Sequence, residues 1–516
     1  MLTTDPENVV QTLESKVTLV RQLNTFDVTS LVVGSVIGAD IYVAAALGVR
    51  LVGPASLLIW VLAGLMAIII ALSFAFSASI LPKVGGPYAY VKEVSGPFPA
   101  FLVGWGLFLA EWLSLAVFPI AFVRYLGSLM PGLGPGQEIV LKGVFIGIIL
   151  VTNIFGIKAA GRFNDVLTVG KLAPLLLLMA SGILFVVLKP QMAISHFHPF
   201  ITGGLRDAGK ALVLIFWAYA GFELATLPAE EIQDPERTIS KAIVFGMLIV
   251  VSFYLATNFV IIAAVDQATL ASSAAPLMAG AAAVFAIGRV LSTIGRWVVG
   301  AGALVSITGA DESGTIGTSR LAFAMSVDGL MPRVFSVLRP PWDTPYIGLA
   351  LICLTAFIAS ASGNLSSLIN ASVFLLCFAY LATCISTILL EGKYPEKAGN
   401  TWARRIISLT GVFCSLILMS QVGPHEVISA SVLLGIGIPV YVLFSPRREL
   451  YELKAAFLSR EAVLARTYQQ GERFLAHPLR HVKWYIYRLR GRDEAWRTSG
   501  GGMAFGGCGK VERHGK

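Results

Sequence analysis

Apolar runs of bilayer length recur along nearly the whole chain, and no other feature restricts its folding so severely. They fall at about residues 28–50, 54–80, 98–130, 139–157, 166–188, 208–229, 238–265, 290–324, 345–361, 364–390, 403–421 and 424–444. Roughly 20 apolar residues in a helix cross the hydrocarbon core, and within lipid only helices and closed barrels satisfy their own backbone polar groups. Charged residues make up 13% of the 516-residue chain, about half the roughly 25% of a soluble protein. The expected class is an all-α polytopic membrane protein with about twelve transmembrane helices and no large soluble domain.

Loop charge gives the orientation. Lys83 and Lys92, Lys158 and Arg162, Arg237 and Lys241, Arg333 and Arg339, and Lys393, Lys397, Arg404 and Arg405 fall in alternate loops. The intervening loops are poorer in Lys and Arg, with Arg50, Lys189, Arg206 and Lys210 as exceptions. The positive-inside rule then puts both termini in the cytoplasm of a cell-membrane protein. Residues 1–27 read as a polar cytoplasmic arm with no cleavable signal peptide, and 28–445 as the transmembrane domain. Residues 446–516 form a basic tail in which Trp484, Tyr485 and Tyr487 are interleaved with arginines. Such a tail suits an anionic membrane surface better than nucleic acid. Its Gly-rich end, residues 499–509, is expected to be disordered.

Two loops look structured. The stretch 82–96 opens on turn residues and runs on amphipathically, as an inner-surface helix would, and 325–345 holds the equivalent place one repeat later. Residues 274–288 are too short to span and read as a re-entrant or lid helix. Cys353, Cys377, Cys384 and Cys414 lie in apolar spans and Cys508 in the tail, a spacing that indicates neither a disulfide framework nor a metal site. No cofactor is implied, and no nucleophile–base arrangement points to an enzyme.

Two spans are interrupted. In the first, GSVIGADIY at 34–42 combines Gly34, Gly38 and Asp40. A carboxylate near mid-membrane costs roughly 2.5–3.5 kcal/mol or more, and irregular backbone survives there only if buried in protein or lining a wet cavity. The stretch reads as a broken helix facing a ligand. A GxxxG helix-packing face is the alternative, which explains the glycines but not Asp40. In the sixth span, FWAYAGFELA at 216–225, Gly221 and Glu223 interrupt the helix in the corresponding way. Paired breaks in two five-helix halves, about 28–188 and 208–390, point to an inverted-repeat transporter, with two further helices at about 403–444.

Over residues 23–445 the chain resembles the amino acid–polyamine–organocation permeases. The resemblance rests on GSVIGADIY, GGPYAYVKEVSG (85–96), GIKAAGRFNDVLTVGKLAPLL (156–176), FWAYAGFELATLPAEEIQDPERTISKAI (216–243) and SRLAFAMSVDGLMPRVF (319–335), in that order. It implies two inverted five-helix repeats and a substrate site at the breaks. Gly38 and Ala39 take the place of the pair whose N–H groups bind a substrate carboxylate at a helix N-terminus. Asp40 stands where the family has glycine and repels that carboxylate unless protonated or paired. Backbone carbonyls around Phe216, Trp217 and Tyr219, beside Gly221, are the implied amine ligands. Trp217 is a candidate stacking or gating aromatic, with ordinary packing as its alternative.

Buried charges supply the coupling candidates. Lys171 stands in the fifth span where related transporters hold sodium. A lysine in apolar surroundings gives up its proton readily, unless it snorkels to the inner face. Glu223 is placed to open and close the sixth-span break with its protonation state. Asp311 and Glu312 lie roughly 12–13 Å deep in the eighth span, and only one of two adjacent residues is expected to face the cavity. Glu111 is a further candidate, with helix–helix hydrogen bonding as its alternative. These residues lead to a secondary active transporter of amino acids or organic amines, expected to be a proton-coupled symporter. Its partners are a small-molecule substrate, protons and the lipid bilayer. The acidic excess keeps an inorganic-cation transporter open on the same fold, and a non-transporting nutrient sensor is a further alternative.

Overall fold

In a computed structural model, residues 24–38, 40–83, 85–155, 157–226, 232–286, 288–338, 344–398 and 401–445 are described. The arm before residue 24, Ala39 and the basic tail lie outside them. The chain divides into two units, 1–438 and 439–516; of the second, 439–445 are described and end a helix.

The described residues are helical almost throughout. The first span is split into α1 (Thr25–Val36) and α2 (Asp40–Val52). A turn at Gly53–Ala55 leads to α3 (Ser56–Ile80). At Gly53 the backbone has φ +67°, a conformation glycine adopts without the steric cost of a Cβ. Then come α4 (Pro87–Ser95), α5 (Pro97–Leu129), α6 (Pro135–Ile154), α7 (Ile157–Leu188), α8 (Pro190–Ser195) and α9 (Leu205–Phe216). The second half holds α10 (Pro235–Ala264), α11 (Gln267–Ser272), α12 (Pro276–Val284), α13 (Arg289–Val327), α14 (Tyr346–Ser362) and α15 (Leu365–Lys393). The short α16 (Pro395–Ala398), then α17 (Thr401–Gln421) and α18 (Pro424–Phe444), complete the order. Prolines open many of these helices, where the missing N–H costs nothing and the fixed φ suits the first turn.

Nine stretches among the described residues are long and apolar enough to cross a membrane, one of them the run Asp40–Ile80 that turns at Gly53. Thr25–Val36 and Tyr346–Ser362 are shorter apolar helices. The difference from the twelve runs read in the sequence has a physical origin. The first two runs join in one stretch that turns at Gly53, the sixth is cut short by its break at Phe216, and the ninth forms the shorter helix Tyr346–Ser362.

Packing builds the core around α5, which lies against α13 and α15, while α7 packs on α13 and α17 on α15. The helices α1 and α3 pack on α10. By contrast, Ile139, Val140, Val144, Ile148 and Val151 of α6 are exposed, as lipid-facing residues are. Of the two loops read as structured, the first holds α4, which ends one residue inside the expected limit at its C-terminal side. Both of its ends are clamped to other helices. Glu93 accepts from Lys393 Nζ (2.7 Å), Tyr394 Oη (2.7 Å) and Lys83 Nζ (3.3 Å). Asp328, just past α13, accepts from Tyr88 Oη (2.6 Å) and Lys92 Nζ (3.1 Å). The lid-like segment is α12, which packs against α10 and α13.

Candidate functional site

The first-span break leaves carbonyls without helical partners, and side chains from three other helices satisfy them. Lys171 Nζ of α7 donates to the Gly34 carbonyl at 2.5 Å. Tyr254 Oη of α10 donates to Val36 O at 2.7 Å, and Ser306 Oγ of α13 to Gly38 O at 3.0 Å. A Cβ on Gly38 would meet the Ala310 side chain at 2.8 Å, so α13 approaches this backbone closely. Asp40 opens α2 and is 7% exposed. Lys171 is wholly buried. It spends its ammonium on the backbone, and no carboxylate among the described residues lies within 4 Å of it.

The sixth span ends as a helix at Phe216. A tight turn follows at Trp217–Tyr219, then extended backbone at Ala220 (φ −67°, ψ 156°) and Gly221 at φ +114°. The Gly221 N–H donates to Glu223 Oε2 (3.0 Å), which also accepts from Tyr380 Oη of α15 (2.9 Å). Glu223 is 1% exposed, and its Oε1 has no partner. Glu111 of α5 carries its carboxyl beside that of Glu223.

Between the two breaks lies a cavity of about 40 Å³ whose lining includes Ser35, Asp40, Glu111, Ser114, Trp217 and Gly221. Trp217 is fixed by donating from Nε1 to Ser114 Oγ (3.1 Å) and by its Phe118 neighbour at 6.0 Å between ring centroids. The Tyr219 side chain points elsewhere: its Oη donates to Trp60 O (3.0 Å), and its ring sits 5.2 Å from that of Tyr254. Phe216 packs against Tyr380. Gly38 is buried behind the cavity lining, and Ala39 lies outside the described residues.

Asp311 and Glu312 are buried but line no part of this cavity. The sequence reading gave one of them that position. Ala310, Ser313 and Gly314 occupy it instead, a spacing of three and four that forms one helix face and turns 311 and 312 away. Glu312 faces α6, where Thr152 Oγ1 donates to it at 2.9 Å, and its Oε1 has no partner. No group of three or more His, Cys, Asp or Glu among the described residues could hold a metal ion.

The broken helices, the cavity between them and the buried lysine bonded to the first break are the features a membrane transporter would show. The chain belongs to the amino acid permease family, which it matches over residues 23–443, within the amino acid–polyamine–organocation superfamily. It is therefore a multi-pass carrier of an amino acid or related solute, and not an enzyme. Among its relatives, the branched-chain amino acid permease BcaP of Bacillus subtilis (strain 168) is 27% identical over 465 residues, 85% of this chain and 96% of the relative. The methylthioribose transporter of the same organism is 28% identical, over 84% of this chain and 95% of the relative. The cystine/glutamate transporter of Homo sapiens is 28% identical, over 84% and 86%.

Proposed function

We propose that the protein is a secondary active, proton-coupled permease for amino acids or organic amines, working by alternating access. In this reading twelve spans form two inverted five-helix repeats, with broken first and sixth members and two further helices. The protein sits in the cell membrane with both termini cytoplasmic. One observation carries the proposal: the two breaks meet, Gly221 lying against the Ser35 backbone, with a small polar cavity between them. Broken backbone deep in a membrane protein serves where it faces a ligand. The relatives named for branched-chain amino acids and for cystine and glutamate support a substrate of that kind. Lys171 supports proton coupling as a titratable group wholly buried against the first break. Glu223 joins the sixth break to α15 in a similar way.

The test is uptake by reconstituted protein. Lys171→Ala is expected to abolish gradient-driven accumulation while retaining substrate binding. Full concentrative uptake with an unchanged pH profile would remove lysine-borne coupling. The acid-lined cavity also favours a second reading, an inorganic cation as cargo, for which isotopic sodium or potassium flux is the measurement.

A further inference from the structure

The cavity has an electrostatic bias that the relatives' names do not express. Asp40 enters its lining from the start of α2 and Glu111 from the middle of α5. No Lys, Arg or His appears among the described lining residues. Lys171, outside the lining, is close enough to Asp40 to act on its charge while its ammonium also bonds the Gly34 carbonyl, so Glu111 is the lining acid with no cation beside it among the described residues. Behind Glu111 stands a third carboxyl, Glu223, with one oxygen held by Gly221 and Tyr380 and the other without a partner although the residue is 1% exposed. Trp217 and Phe118 supply aromatic surface to the same lining, and Ser35, Ser114 and Ser313 supply hydroxyls.

We infer that this site selects an organic ammonium ion lacking a free α-carboxylate, held by Glu111 and Asp40 against Trp217. The inference rests on the transport reading above and deepens it. A substrate carboxylate entering this cavity would face Glu111 uncompensated and Asp40 only partly offset by Lys171, whereas an ammonium is attracted by both acids. A hard inorganic cation wants a shell of oxygen ligands. Indole and phenyl walls suit an alkylammonium better, through ring–cation attraction and burial of the methylenes. The cavity's volume of about 40 Å³ compares with the roughly 30 Å³ that one water occupies in the liquid. It admits an ammonium head, and the alkyl remainder requires Trp217 or Phe118 to move.

A competition follows from the same geometry. Adjacent carboxyls such as half-buried Glu111 and buried Glu223 relieve their repulsion by holding a proton. An ammonium at Glu111 relieves it as well, so amine and proton exclude one another, and amine entry drives the proton out. The other titratable groups around the site are Asp40 and Tyr42 on α2, Lys171 on α7, Tyr254 on α10 and Tyr380 on α15. Of these, only Asp40 shares the lining with Glu111.

The experiment is competition uptake in proteoliposomes between pH 5 and 8, using two pairs: isoamylamine with leucine, and 1,5-diaminopentane with lysine. In each pair the amine is expected to compete at least about tenfold better than its amino acid, with its apparent affinity falling up to about tenfold per pH unit on the acid side. Glu111→Gln is expected to flatten that pH dependence, and Asp40→Gly to shift preference toward the amino acid by about tenfold. Preference of the wild type for the amino acid at every pH overturns the inference and leaves the transport reading standing. Uptake of none of the four compounds also overturns the inference, while the transport reading falls only if a wider panel of amino acids is not taken up either. The wild-type ranking needs no variant, so it decides the matter even if a substituted protein fails to fold. If the variants fold with wild-type melting temperatures and rank the pairs as wild type does, these two acids do not select the substrate and the inference fails.

Discussion

Gly221 is the residue on which the two breaks close. Its φ of +114° belongs to a region that side chains with a Cβ rarely enter, and a Cβ there would stand 2.8 Å from the Ser35 carbonyl oxygen. Gly221→Ala is expected to cost about 1–3 kcal/mol in backbone strain, with further loss as α1 is pushed away. Reconstituted uptake should fall by more than about tenfold, since roughly 1.4 kcal/mol separates each factor of ten, and the melting temperature should drop by a few degrees. Unchanged uptake in a folded variant would show that the breaks need not touch. At this scale the sequence was informative about which residues are unusual and silent about their partners. Asp40, Lys171 and Glu223 stand out as charges in apolar runs. Nothing in the spacing ties Lys171 to Gly34, or Glu223 to Tyr380 across 157 positions. Tyr254 and Ser306, which cap the first break, carry no local signal at all, because a hydroxyl in an apolar helix is unremarkable until its neighbour is known.

Among the elements, α4 was readable from its turn residues and amphipathic pattern, and the two breaks from glycine next to an acid. The partners of α4 were not, since ion pairs between distant loops leave no periodicity. Its clamp makes a sharp pH prediction. The Lys393 ammonium and the Tyr394 hydroxyl, both donating to Glu93, hold its carboxyl down from the usual 4.5 to about 2. A group with a lowered folded value stabilises fully above the unfolded value and loses that contribution as pH falls through the folded one. The difference in melting temperature between wild type and Glu93→Gln should therefore stay constant from pH 8 to about 5 and shrink between about 4.5 and 2. Its size at neutral pH is expected to be small, at most about 1 kcal/mol, because solvent screens a pair this exposed. A difference that varied between pH 5 and 8 would mean another group titrates in the clamp. By the same argument, pH dependence of transport in that range must arise elsewhere.

For the whole molecule, apolar runs alone identified the class, and the ordered motifs identified the family. Orientation in the membrane is open to a direct check. In a Cys508→Ser background the remaining four cysteines are buried. A cysteine replacing exposed Ser272, in α11, should react with an impermeant maleimide on intact cells, and one replacing exposed Ser95, in α4, only after permeabilisation. The reverse pattern would invert the topology read from loop charge. A last consequence comes from the carbonyls of the first break. Tyr254 belongs to α10, which packs along α1, whereas Ser306 and Lys171 belong to α13 and α7, which pack on each other. The break is thus riveted firmly to one neighbour and only basted to the other two, by single hydrogen bonds each worth about 0.5–3 kcal/mol. Stitches of that strength make a perforation in an otherwise close-packed body, and if cargo binds at the break as proposed, its binding free energy has only to match them for the break to part from α7 and α13.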